Sequence, residues 1–178
     1  MDGLSRYPDI KVVGQIAHMW TSQVGQVETQ KWLATHPGQL DGVAVQSSGE
    51  TGVLQAFLQS GRDLPPLSIG GERGALCYWR NNPDYISGAI QTWPPGDDVE
   101  MGWNIMMRTL QGQGPKIQSI LVPPLTIEYA DVEAMMGTDC DRNSTLWYNP
   151  GVEVWGGKDY VDNFFLRPAD PEEYDPDS

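Results

Sequence analysis

Four short segments of this chain put polar and aromatic side chains directly behind apolar, β-rich runs. They are His18-Met19-Trp20, Gln46-Ser47-Ser48, Gly70-Gly71-Glu72 and Gln91-Thr92-Trp93. In an open α/β sheet, ligands bind in the crevice beyond the carboxyl ends of the strands. The four segments offer two indoles, several amides and hydroxyls, one carboxylate and one imidazole. An indole face stacks on apolar C–H surface, while amides, hydroxyls and a carboxylate bind OH groups. That mixture suits a hydroxyl-rich small molecule. Each residue also has a structural reading: Trp20 and Trp93 can pack in a core, Ser47 can cap a helix, and Glu72 can lie in water. His18 reads as structural or exposed rather than catalytic.

Signatures of catalysis are missing. The sequence has no G-x-S-x-G elbow, no G-x-x-x-x-G-K-[ST] loop and no H-E-x-x-H pair. Gly70-Gly71-Glu72-Arg73-Gly74 is glycine-rich but lacks the spacing of a dinucleotide site. Asp139, Asp141 and Asn143 alternate like part of a calcium loop, without its glycine or its closing glutamate. Two His and two Cys supply no transition-metal ligand set. The chain therefore reads as a binding protein with no catalytic residue, metal or cofactor. Cys77 and Cys140 are too few for a disulfide scaffold, and spacing leaves open whether they pair or stay as buried thiols.

The elements that must position these residues follow from hydrophobic pattern and turn signals. Lys11 to Ala17, Gly42 to Val45, Pro65 to Ile69 and Tyr85 to Ile90 read as strands. A polar stretch from Thr21 to Thr35 reads as a helix stopped by His36-Pro37-Gly38. Ser47 and Glu50 have capping-box spacing before Val53, Leu54, Phe57 and Leu58, with Gly61 as the C-cap. Asp97 and Glu100 have the same spacing before Val99, Trp103, Met106, Met107 and Leu110, closed by Gly112. Leu125-Thr126-Ile127, after a Pro-Pro break, reads as an edge strand or a crossing between domains. The alternation implies an α/β fold with a mostly parallel, doubly wound sheet in three α/β/α layers. Residues 1–132 form this lobe. Residues 133–178 are an aromatic and acidic extension whose Pro-rich end reads as loosely ordered.

Length and charge narrow the class further. The 178 residues suffice for one domain with a core, and are too few for two full α/β lobes. Eleven Lys and Arg against 24 Asp and Glu give a net charge of −13 with no basic run, which argues against nucleic acid as a partner. No run reaches the roughly 18 apolar residues of a membrane span. Residues 1–6 carry no signal-peptide core and read like the end of a helix entered mid-protein.

With the strand ends in place, the order of segments becomes recognisable. "YPDIKVVGQIAHMW", "LDGVAVQSSGETGVLQAFLQSGR", "PPLSIGGE", "GAIQTWPPGDDVEMGWNIMMRTLQGQ" and "VPPLTIEYADVE" resemble the second, carboxyl-terminal lobe of ribose-type periplasmic binding proteins of sugar ABC transporters. The resemblance covers about Tyr7 to Val132. It implies that Trp20 stacks on the sugar and that Gln46 or Ser47 supplies the polar contact after the second strand. Glu72 stands where the family usually has Asp, and Thr92 where an amide is common. It also implies a periplasmic protein that delivers a sugar or other small polar solute to a membrane permease, with an amino-terminal lobe forming the opposite wall of the cleft. That lobe is missing from these residues, so this chain alone should bind sugar weakly or not at all. The surface that would meet the lobe should favour a homo-oligomer.

Two rivals remain at this level. The ligand-sensing domain of a LacI-type transcription regulator shares the fold, although the acidity and the aromatic tail favour the transporter. A small α/β hydrolase or transferase is the third reading.

Overall fold

The computed structural model describes residues 6–46, 48–85, 88–91, 95–115, 125–137, 140–148 and 165. The element order is α1 (Ser22–Thr35), α2 (Glu50–Ser60), β1 (Ser68–Ile69), α3 (Arg73–Asn81), β2 (Gly88–Gln91), α4 (Pro95–Leu110), β3 (Leu125–Ile127) and α5 (Tyr129–Met136). Among the described residues, the sheet has three strands in the order β1-β2-β3. β1 and β2 run parallel, with Ser68 opposite Gly88, and α3 makes the crossover between them. β3 joins β2 antiparallel and lies at the edge, with Ala89 opposite Ile127. The α/β character expected from sequence is present in this mixed sheet.

Two expected strands come out differently. Residues 11–17 form no strand and lie largely exposed, with Val12 and Val13 open to solvent. A β-rich run becomes a strand only where another backbone supplies its ladder, and none of the described residues pairs with it. Gly42 to Val45 contributes one isolated bridge, Val43 to Leu67. Here a side chain takes over part of the ladder: Ser68 Oγ accepts from Val45 N–H at 2.7 Å and donates to Val45 O at 3.0 Å.

The helices follow their signals more closely. Thr21 caps α1, its Oγ1 accepting from Val24 N–H at 3.4 Å. α2 ends at Gly61 in the left-handed conformation (φ 68°), and it buries Val53, Leu54 and Phe57 while Leu58 faces outward. α4 starts at Pro95, a position where proline's missing N–H costs nothing, so Asp97 lies inside its first turn rather than before it. α3 and α5 were not anticipated. α3 begins inside the glycine-rich Gly70–Gly74 stretch and buries Ala75, Leu76, Cys77 and Trp79. α5 opens with the Asp131 carboxylate accepting from Glu128 N–H at 2.9 Å, and it buries Val132 and Met136.

The core lies where α2, α3 and α5 meet β1 and β3, around Leu54, Phe57, Leu67, Ile69, Leu76 and Ile127. α1 covers α2 at unusually close range. A Cβ on Gly52 would lie 1.9 Å from Ser22 O and 2.9 Å from Gln26 N, so the two backbones touch there. Both obstacles are main chain and cannot swing away.

The expected boundary after residue 132 falls inside α5, which continues to Met136. Residues 140–148 then lie back across the lobe. A disulfide joins Cys77 in α3 to Cys140, with Cα atoms 5.7 Å apart. Arg73 N–H donates to Leu146 O, Gly74 N–H to Ser144 O, and Tyr148 N–H to Gly71 O, at 2.7–2.8 Å. The first two satisfy amides at the start of α3, which a helix cannot satisfy internally.

Two stability measurements check this account. Gly52→Ala should cost about 3 kcal/mol or more in urea unfolding, because overpacking here meets backbone. Gly61→Ala, with no neighbour within 4 Å, should cost only ~1 kcal/mol for its left-handed φ. Equal losses would remove the argument for a backbone contact. Reducing the disulfide opens a loop between residues 63 apart in sequence and should lower the unfolding free energy by ~4 kcal/mol, read by unfolding with and without reductant.

Candidate functional site

Two buried glutamates hold the strand-end loops together by exchanging places. Glu50 is the first residue of α2, yet its Oε1 accepts from the backbone N–H groups of Gly70, Gly71 and Glu72, at 2.9–3.0 Å. Glu72 stands just before α3, yet its carboxylate accepts from the N–H groups of Gly49 and Thr51 at the start of α2, at 3.0 and 2.8 Å. Ser22 Oγ, at the start of α1, donates to the same carboxylate at 2.8–2.9 Å. Each carboxylate therefore lies at the amino end of the other's helix, where dipole and free amides favour negative charge. The Ser47 half of the capping box suggested by its spacing from Glu50 lies outside the described residues. Gly49 is the N-cap of α2, Glu50 Oε1 is committed to the β1–α3 loop, and Oε2 has no hydrogen-bond partner among the described residues.

Burial raises the pKa of Glu50 above its ordinary value of 4.5, the adjacent Glu72 charge raises it further, and the backbone amides oppose both. Desolvation leads because Glu50 is fully buried.

Next to this pair stands the turn carrying Trp20. Met19 and Trp20 both take left-handed backbone angles, φ 53° and 52°, which side-chain-bearing residues rarely adopt. Thr21 N–H closes the turn onto His18 O at 3.1 Å. The indole of Trp20 is 62% exposed. The His18 ring meets it edge-on, with centroids 6.4 Å apart, and on its other side abuts Gly49, where a Cβ would lie 2.8 Å from His18 Nδ1. His18 thus links the strained Trp20 turn to the α2 amino end that Glu72 holds. An exposed indole on a strained turn, beside helix amino ends, can stack on a small molecule.

No family profile matches the chain. Over 132 residues it is 26% identical to a xylitol-binding protein of Mycolicibacterium smegmatis (strain ATCC 700084 / mc(2)155), covering 72% of this chain and 37% of that one. Its fold matches the crystal structure of an ABC transporter solute binding protein from Thermobispora bispora DSM 43833, with a TM-score of 0.61 and 24% identity. That match covers 82% of this chain and 44% of the other. The chain is similar to ABC-transporter solute-binding proteins. It spans less than half the length of either one.

Gln46 is exposed and follows Val45, whose backbone is pinned by Ser68 Oγ. Ser47 and Thr92 lie outside the described residues, as does Trp93. Glu72 is 3% exposed and its carboxylate already receives three protein donors. Sequence reasoning missed Glu50 and Ser22 as its partners. Their only linear signal is that each opens a helix.

The pH behaviour of Glu50 follows with a definite sign. Because folding raises its pKa, the folded state keeps this proton to higher pH than the unfolded chain does. Its stabilising contribution is full below about 4.5 and is lost as pH rises through the folded value. Glu50→Gln keeps an acceptor for the three amides and cannot titrate, so its melting temperature should fall less than wild type's as pH rises from 4.5 to 7. Parallel curves would show that Glu50 does not titrate in this window. Glu50→Ala strands three buried donors and should cost about 3 kcal/mol or more.

Proposed function

We propose that this chain is the carboxyl-terminal lobe of the solute-binding component of an ABC transporter, and that it forms one wall of a site for a sugar or polyol. The observation that carries this reading is the similarity to a xylitol-binding protein over 132 residues, a stretch long enough to include the candidate site. The exposed Trp20 on its strained turn supports it, because a sugar or polyol presents C–H surface to an indole and hydroxyls to polar groups around it. In this reading Trp20, Gln46, Ser47 and Thr92 meet the solute. Glu72 forms the floor, and direct contact with a hydroxyl requires it to release one of its present donors.

The same reading supplies the rest of the architecture. The lobe completes a three-layer, mostly parallel sheet, and a second lobe closes over the solute by hinge motion. The protein works outside the cytoplasm, in the periplasm, and hands its solute to a permease. The Cys77–Cys140 disulfide suits such an oxidising compartment. It carries no reaction of its own. The two similar proteins are solute-binding proteins, so the regulator-type sensing domain is not favoured.

Thermal shift and calorimetry with pentoses, hexoses and polyols test this reading on the chain itself. The expected result is stabilisation by one class, at millimolar affinity or weaker, because more than half the length of the similar proteins lies outside this chain. Trp20→Ala should weaken that binding by about tenfold, from the loss of ~1 kcal/mol or more of stacking. Submillimolar binding would contradict the one-wall geometry. Binding unchanged by Trp20→Ala would remove the stacking role.

A further inference from the structure

Glu72 is held by two donors that are fixed and one that can leave. Gly49 N–H and Thr51 N–H belong to the buried backbone at the start of α2 and move only if that helix moves. Ser22 Oγ, on the first residue of α1, needs only rotation about χ1 to swing from one staggered position to another. Its oxygen stands 2.8 Å from Oε1 and 2.9 Å from Oε2 of the carboxylate. A hydroxyl has one proton to donate, so the two contacts share it. The carboxylate, with about four lone-pair directions, thus receives two amide protons and one divided hydroxyl proton. The neighbouring Glu50 adds a second shortfall, because its buried Oε2 has no partner among the described residues. This donor-poor unit adjoins the exposed Trp20 indole, which precedes Ser22 by two residues.

We propose that the Ser22 hydroxyl is an internal stand-in for a solute hydroxyl, and that Ser22 therefore sets how tightly the solute binds. The inference rests on the sugar- or polyol-binding reading above. A solute hydroxyl takes the place of Ser22 Oγ on Glu72, and Ser22 turns to another staggered position. The two amides stay in place, so the starts of α1 and α2 need not part when the solute arrives. The exchange replaces one O–H···O⁻ bond with another, so the net gain is small while Ser22 competes. With the stand-in absent, the same solute bond forms on a carboxylate that lacks a donor, and its full worth appears as affinity. Ser22 is in this sense a specificity-determining residue: without solute it keeps the buried carboxylate bonded, and only a hydroxyl able to replace it gains entry.

Calorimetry and thermal unfolding of the chain with xylitol, ribose and glucose decide the matter. Ser22→Ala should melt at a lower temperature than wild type without solute, because Glu72 loses a donor. Its affinity for the solute should nevertheless rise roughly tenfold, from the worth of one hydrogen bond to a charged group. A merely structural role for Ser22 would lower stability and affinity together. Ser22→Thr keeps the donor on a β-branched side chain that turns less freely, so it should bind no tighter than wild type. Wild-type binding that Trp20→Ala weakens, with Ser22→Ala binding no tighter than wild type, would overturn the role of Ser22 and leave the solute-binding reading standing. Tighter binding by Ser22→Thr would overturn it in the same way. No binding of any of the three compounds by either wild type or Ser22→Ala would overturn both.

Discussion

The strand-end region depends on two buried carboxylates that each serve the other's helix. A glutamate alone in a protein interior is costly, and two near each other more so. Here the cost is offset by five backbone amides and one hydroxyl, drawn from the first turns of α1 and α2 and the loop into α3. The exchange ties three helix starts and the end of β1 into one unit. Displacing any one element would leave a buried charge or several amides without partners. The Trp20 turn rests on that unit through His18 and Gly49, so its position is set by the same bonds.

A second tie works from outside. Residues 140–148 supply carbonyls to the first amides of α3, and the disulfide fixes the beginning of this strap to the body of that helix. The strap reaches back to Gly71, where the Trp147 indole occupies the space a Cβ would take. Gly71 therefore lies between an internal carboxylate and an external indole, and its φ of 151° lies outside the range that side-chain-bearing residues favour. The loop that looked like free glycine-rich chain is held from both sides. Gly74, with Ser144 O, Arg142 O and a Thr51 methyl all under 3 Å from a would-be Cβ, shows the same crowding.

Much of this was legible in the linear chain. The ordered segments that resembled a ribose-type binding lobe agree with the similarity to solute-binding proteins in sequence and fold. Helices with clean stop signals, such as α1 before Pro37 and α2 before Gly61, were readable because caps and breakers act within one turn. Strands were less readable. The run 11–17 has every local property of a strand, and because none of the described backbone pairs with it, it forms no strand among the described residues. α3 was hidden because Gly74 looked like a breaker, whereas it is small to admit the strap.

What the sequence alone determined is therefore local and compositional: an acidic α/β chain, its main helix limits, and a set of aromatic and polar side chains behind the strands. Tertiary structure alone decided that Glu50 serves the loop before α3 rather than its own cap, and that Glu72 is buried and bonded rather than exposed. It also paired Cys77 with Cys140 and left Val99, Trp103, Met106 and Leu110 of α4 exposed. The physical reason is common to all of these. Which partner a carboxylate, a thiol or an apolar face finds depends on backbone brought from tens of residues away, and no local pattern encodes that distance.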